Sequence, residues 1–148
     1  VIITGDTGLG RGSGSLVEEF AGPVVTDPGA EDFVGAEVGS NNTAELTAFG
    51  EALRWLLIEG GGEEAVIRAD SQYAGNLASG AWKAKANKAL VAHVQELWRA
   101  VAALRPISWD HVRAHRGHRW NERADHLALR KANNEPPVPL TFWKPGQR

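Results

Sequence analysis

Short β-branched runs and longer stretches of helical period alternate along this chain. Val1-Ile2-Ile3-Thr4 predicts a strand that ends at Gly5-Asp6. Glycine at nearly every second position makes 7–15 a loop. Residues 16–20 and 23–26 read as pieces of a second strand, with a turn at Asp27-Pro28-Gly29, and 33–38 as a third. Leu46, Phe49, Leu53, Leu56 and Leu57 recur at helical spacing and predict a helix over 43–58. Ser40, Asn41 and Asn42 are capping types before it, and Gly60-Gly61-Gly62 stops it. A strand over 65–69 ends at Asp70-Ser71, and a short helix over 72–77 follows. Leu90, Val94, Leu97 and Val101 form one stripe of a helix over 89–104, which Pro106 breaks. Residues 107–114 alternate as a strand. Residues 121–131 predict a last helix with Leu127 and Ala128 inward, and Trp55 and Trp98 read as core. The order is β-β-β-α-β-α-α-β-α, an antiparallel meander followed by parallel strands linked through helices. Residues 1–134 read as one domain, and the proline-rich tail 135–148 as a linker or a surface strap.

Composition narrows the class. The 148 residues are 43% hydrophobic, enough for a core. With no cysteine, disulfides, thiolate metal sites and a cysteine nucleophile are excluded. No apolar run approaches membrane-span length and no signal pattern opens the chain, so a cytoplasmic protein is expected. The chain lacks methionine, so either the start residue was removed or this is a domain of something longer. The net charge of −2 hides an asymmetry. Residues 1–74 carry 3 basic against 13 acidic side chains, and 75–148 carry 13 against 5. An acidic half beside a basic half suggests a cation site next to a polyanion site.

Asp6 and Asp70 each stand where a strand gives out, where open α/β sheets build their sites. Neighbouring strands lie about 4.8 Å apart, so two such carboxylates can share one ion. Glu45 and Asp125 fall in the first turns of the expected helices 43–58 and 121–131, near their apolar faces. Clustered carboxylates repel unless a cation joins them, and hard oxygen donors suit Mg²⁺ or Mn²⁺. Two such ions about 3.5–4 Å apart can activate water and stabilise the leaving oxygen of a phosphodiester. The plainer reading is that these acids are turn and helix-dipole residues.

Three motifs then stand in order: Ser40-Asn41-Asn42-Thr43-Ala44-Glu45-Leu46, Asp70-Ser71-Gln72-Tyr73, and Trp109 to His118 followed by Asn121-Glu122-Arg123-Ala124-Asp125. Together they resemble the type 1 ribonuclease H family, over about residues 6–132. The resemblance implies the ribonuclease H-like α/β fold: a five-stranded mixed sheet, three antiparallel strands then two parallel, flanked by helices. It also implies cleavage of the RNA strand of RNA–DNA hybrids with two Mg²⁺ ions. Asp6, Glu45, Asp70 and Asp125 match the acidic quartet, which would be catalytic and metal-binding. His115 matches the loop histidine that assists proton transfer and product release. Asn41 and Asn42 match a pair that contacts nucleic acid, Gln72 a substrate-contacting position, and Glu122 an acid close behind the metal ligands. The family's first strand usually ends Asp-Gly-Ser, whereas this chain has Gly5-Asp6-Thr7-Gly8. Asp27 is the rival, but it stands 18 residues before Glu45, too close for two intervening strands, against 39 for Asp6.

The basic handle of bacterial members is reduced here to Trp82, Lys83, Lys85 and Lys88. These side chains either bind substrate, with lysines on phosphates and Trp82 on sugar or base, or form a solvated lead-in to a helix. Zinc on His111, His115, His118 and His126 is a weaker alternative. The expected partner is an RNA–DNA hybrid, with no membrane, and the chain is a monomer or a domain of a larger polypeptide. Two other classes stay open: an inactive or weakly active nucleic-acid-binding module of this fold, and a DNA nuclease of this fold.

Overall fold

The computed structural model describes residues 1–146; the last two residues of the expected tail lie outside the described residues. The chain forms two compact units. One is Val24–His111; the other joins Val1–Pro23 to the chain from Val112 onward.

The Val24–His111 unit holds α1 (Asn41–Ile58), β3 (Ala65–Ala69), α2 (Gln72–Ala78), α3 (Lys88–Ala102) and β4 (Ile107–His111). Ser40 caps α1 in a reciprocal box: its Oγ accepts from Thr43 N at 3.1 Å, and Thr43 Oγ1 accepts from Ser40 N at 2.9 Å. α1 packs against α3 and α2, burying Leu46, Phe49, Leu53, Leu90, Val94 and Val101 in one core. β3 and β4 pair in parallel from Ala65↔Ile107 to Ala69↔His111, as the intervening helices required. Trp109 on β4 meets Phe49 edge to face at 6.3 Å. Gly75 on α2 lies beneath the same indole, where a Cβ would come within 2.4 Å of ring atoms. The C-terminus of α1 is closed by Arg105, only 6% exposed, whose guanidinium donates to the Leu56 carbonyl at 3.1 Å.

The other unit holds β1 (Ile2–Thr4), β2 (Ser15–Glu18) and α4 (Arg119–Ala132). β1 and β2 pair antiparallel across the glycine-rich loop. Gly14, at φ +81°, allows this turn: a Cβ there would lie 2.4 Å from the Thr4 carbonyl oxygen.

Several sequence expectations are corrected. In place of one five-stranded sheet, the described residues form four strands in two two-stranded sheets. Residues 33–38 form no strand. Gly35 takes φ +109°, outside the strand region, and lies against the backbone that opens α3, while Ala36 inserts into the core. Residues 23–26 form no strand either, Pro23 having no N–H to give a ladder. β4 stops at His111 because its partner β3 runs out at Ala69. α1 and α4 each start two residues earlier than expected, so Glu45 and Asp125 stand in second turns. Ala128 is exposed; the buried stripe of α4 is Trp120, Arg123, His126 and Leu127.

Gly75→Ala is expected to destabilise the protein by about 1–3 kcal/mol, because the methyl group must displace Trp109. Urea unfolding checks this; an unchanged midpoint would contradict the packing.

Candidate active site

In the Val24–His111 unit, Ser40 takes the capping role, so Asn41 and Asn42 become the first two helical residues, with side chains exposed. Glu45 follows on α1, half-buried. Asp70 is half-buried directly after β3. It is held there by Ser71, whose Oγ accepts from Ala74 N at 3.0 Å to cap α2. Gln72 opens α2 and is exposed. The structure gathers Trp82, Lys83 and Lys88 around a groove of about 480 Å³ beside α3, joined by Val91, Trp98 and Arg99. Trp82 is 50% exposed there. Lys85 is exposed but not in the groove wall. Trp98, expected in the core, packs on the core with one side and lines this groove with the other.

In the other unit, Asp6 is half-buried after β1. Its Oδ1 accepts from Ser13 Oγ at 2.8 Å, Ser13 N at 3.1 Å and Gly8 N at 3.3 Å. These donors fix the carboxylate's rotamer. The Trp120 indole N–H in turn donates to the Ser13 carbonyl at 2.7 Å, and Arg119 N to the Arg11 carbonyl at 2.7 Å. The loop that holds Asp6 is thereby fastened to α4, the helix that carries half-buried Asp125.

His115 stands exposed at the tip of the next loop, in a left-handed conformation at φ +56°. Two residues on, Gly117 N donates to Glu122 Oε1 at 3.2 Å. Glu122 Oε2 accepts from Gly146 N, so this one carboxylate joins the histidine loop to the tail. His118 caps α4, its Nδ1 accepting from Asn121 N at 3.3 Å. His126 is buried, and its Nε2 accepts from Val138 N at 3.0 Å. Both rings are thus engaged as acceptors within the fold. Among the described residues no three His, Asp or Glu side chains gather into a metal cage, which leaves the zinc alternative and the acidic quartet alike without a gathered cluster. The donor chemistry of the four acids is carboxylate oxygen alone. It fits a hard divalent ion that completes its shell with water and substrate phosphate.

The sequence model of the RNase H family matches residues 14–133, which include Glu45, Asp70, His115 and Asp125. The chain belongs to the ribonuclease H family. A ribonuclease H of Janthinobacterium sp. is 42% identical over 110 residues, covering 68% of this chain and 74% of that protein. One of Herminiimonas arsenicoxydans is 40% identical over 111 residues, covering 68% and 73%. One of Thermosynechococcus vestitus is 34% identical over 107 residues, covering 66% of each. Asp6 precedes the residues matched by the family model. No described helix is long and apolar enough to cross a membrane.

Sequence reasoning passed over the support beneath these residues. Arg123 is 1% exposed and pairs with Glu19 through Nε–Oε2 at 2.8 Å and Nη2–Oε1 at 2.5 Å. Its third donor reaches the Val138 carbonyl at 2.7 Å, and Trp143 lies 5.4 Å away beneath the guanidinium. Val138 and Trp143 thereby pack against Arg123 of α4, with Trp143 2% exposed. An arginine inside an otherwise apolar helical stripe was the available signal for a buried charge.

Hydrogen bonds from Arg123 hold the Glu19 carboxyl below its usual range, with burial opposing. A depressed folded pKa stabilises above the ordinary carboxylate range, and that contribution is lost as pH falls through the folded value. Glu19→Gln is expected to remove this acid limb. At neutral pH it should cost roughly 3 kcal/mol, the low end for a broken buried pair, since Glu19 keeps 21% exposure. Unfolding measured from about pH 3 to 7 tests this; a variant as stable as the parent at neutral pH would contradict it.

Proposed function

We propose that this chain is a metal-dependent endoribonuclease that cleaves the RNA strand of RNA–DNA hybrids, leaving 5′-phosphate and 3′-hydroxyl ends. The observation that carries the reading is the family match over 14–133, with Glu45 on α1 and Asp125 on α4, Asp70 directly after β3 and His115 in the loop before α4, all inside it. Asp6, Glu45, Asp70 and Asp125 supply the carboxylates for two Mg²⁺ ions, with Mn²⁺ as a substitute. Such ions, when bound, neutralise the scissile phosphate and lower the pKa of water. The chain's own residues do the rest. Ser13 and Trp120 hold the Asp6 carboxylate in one rotamer. Exposed Asn41, Asn42 and Gln72 offer amides that donate to or accept from the ribose 2′-hydroxyl, which tells RNA from DNA. Trp82 and the lysines of the α3 groove meet the nucleic-acid backbone. His115, on an exposed loop, moves a proton to or from the departing end, and Glu122 holds that loop through Gly117. The protein works as a monomer or a domain of a larger polypeptide, and its cysteine-free composition suits the cytoplasm.

A second reading, a binding module with weak or no cleavage, draws on Asp6. Three donors from its own loop occupy Oδ1, and the residue lies before the matched range.

A labelled RNA–DNA hybrid separates the two. Cleavage of the RNA strand with Mg²⁺ or Mn²⁺, stopped by chelator and lost in Asp70→Asn, is the expected outcome. His115→Ala should lower kcat by roughly 100-fold, the scale of a positioned proton-transfer group. Binding without cleavage under both metals would overturn the enzyme reading. Cleavage of DNA would point to a nuclease of the same fold with another substrate.

A further inference from the structure

Arginine recurs at every third position across the histidine loop, at 113, 116 and 119, and Arg11 is the one basic residue of the glycine-rich loop. The fold of the unit that holds both loops brings them together. Arg119 N donates to the Arg11 carbonyl at 2.7 Å, and the Arg11 guanidinium lies 3.3 Å from where a Gly117 Cβ would stand. A side chain at 117 would therefore push this guanidinium away. Arg11, Arg113 and Arg116 are exposed. Arg119 is half-buried, with its guanidinium 4.9 Å from the centre of the Trp120 ring. Among the described residues none of the four is paired with a carboxylate. Two acids of the same unit accept from backbone: Glu122 from Gly117 N and Gly146 N, and Asp6 from Gly8 N and Ser13 N.

We propose that Arg11, Arg113, Arg116 and Arg119 form an arginine rim that grips the sugar–phosphate backbone of the nucleic acid beside the cleavage point. Exposed guanidinium groups on adjoining loops attract a polyanion. Guanidinium, unlike ammonium, matches phosphate with two parallel N–H donors. His115 stands two residues from Gly117, roughly 7 Å of chain at most. Successive phosphates of one strand advance about 3.4 Å along the axis. The rim thus reaches phosphates within a few steps of whichever phosphate His115 serves. This placement rests on the ribonuclease reading; the binding itself does not.

The test measures binding of the full chain to a short fluorescent RNA–DNA hybrid in EDTA, by anisotropy at several salt concentrations. The variant is Arg11→Gln/Arg116→Gln, both exposed, with Arg54→Gln on α1 as a single-charge control and melting curves as a fold check. Loss of two phosphate contacts should lower the slope of log Kd against log salt by about 2. It should weaken binding roughly tenfold or more at low salt and, in turnover with Mg²⁺, raise KM with little change in kcat. Arg11→Lys/Arg116→Lys should restore the slope but only part of the affinity. An unchanged slope and affinity in the folded double variant overturns the rim, whether or not the protein cleaves RNA. Loss of binding in a protein that cleaves nothing keeps the rim and removes the ribonuclease reading. If the double variant melts early, Arg116→Gln alone carries the test, with a slope change of about 1. Polyglutamate competing as well as the hybrid at equal charge would overturn the assignment to nucleic acid.

Discussion

A guanidinium cannot shed its charge on burial, so the unit that holds α4 depends on what meets Arg123. With 1% exposure, it requires an ionised partner in fork geometry, and Glu19 provides one from 104 residues earlier. The pair fixes the end of β2 against the helix. The Val138 carbonyl and the Trp143 ring then close the remaining sides, which draws the tail across α4. Three segments distant in sequence are thus registered by one charge. Apolar contacts of similar area tolerate sliding; a bidentate ion pair does not.

That registration is what gives Asp6 and Asp125 a defined setting in their unit. β1 and β2 are short, and a three-residue strand has little stability of its own. The glycine-rich loop between them is held by the Trp120 indole on Ser13, and Ser13 holds Asp6. In the other unit the equivalent stiffness comes from apolar packing of α1 on α3 and from two serine caps, at Ser40 and Ser71, next to Glu45 and Asp70. Polar scaffolding in one unit and apolar scaffolding in the other hold the same kind of side chain.

Residues whose fate is decided by near neighbours were legible. Leu46, Phe49 and Leu53 announced α1, Leu90, Val94 and Val101 announced α3, and helices between strands required the parallel pairing of β3 with β4. Asp70-Ser71 marked a strand end with a short helix after it, and Ser71 proves to cap that helix. Where distant partners decide, local pattern failed. The strand expected at 33–38 lost to Gly35 packing on α3, and Arg123 drew no reading of its own because Glu19 lies so far away in sequence. Ala128, expected inward, is exposed because Trp120, Arg123 and Leu127 set the direction of the buried stripe of α4. Of the candidate site, the motifs around Glu45, Asp70 and His115 to Asp125 were readable as a family pattern. The partners that position them were not, since a hydrogen bond from Trp120 to a backbone carbonyl leaves no mark on local sequence.

The most direct test of the account is the chemistry of the cut ends. Mass spectrometry of RNA fragments released from a hybrid in Mg²⁺ should show 5′-phosphate and 3′-hydroxyl termini, the signature of water attacking the phosphodiester. Fragments ending in 2′,3′-cyclic phosphate, which form when the ribose hydroxyl itself attacks, or RNA left whole, would contradict it.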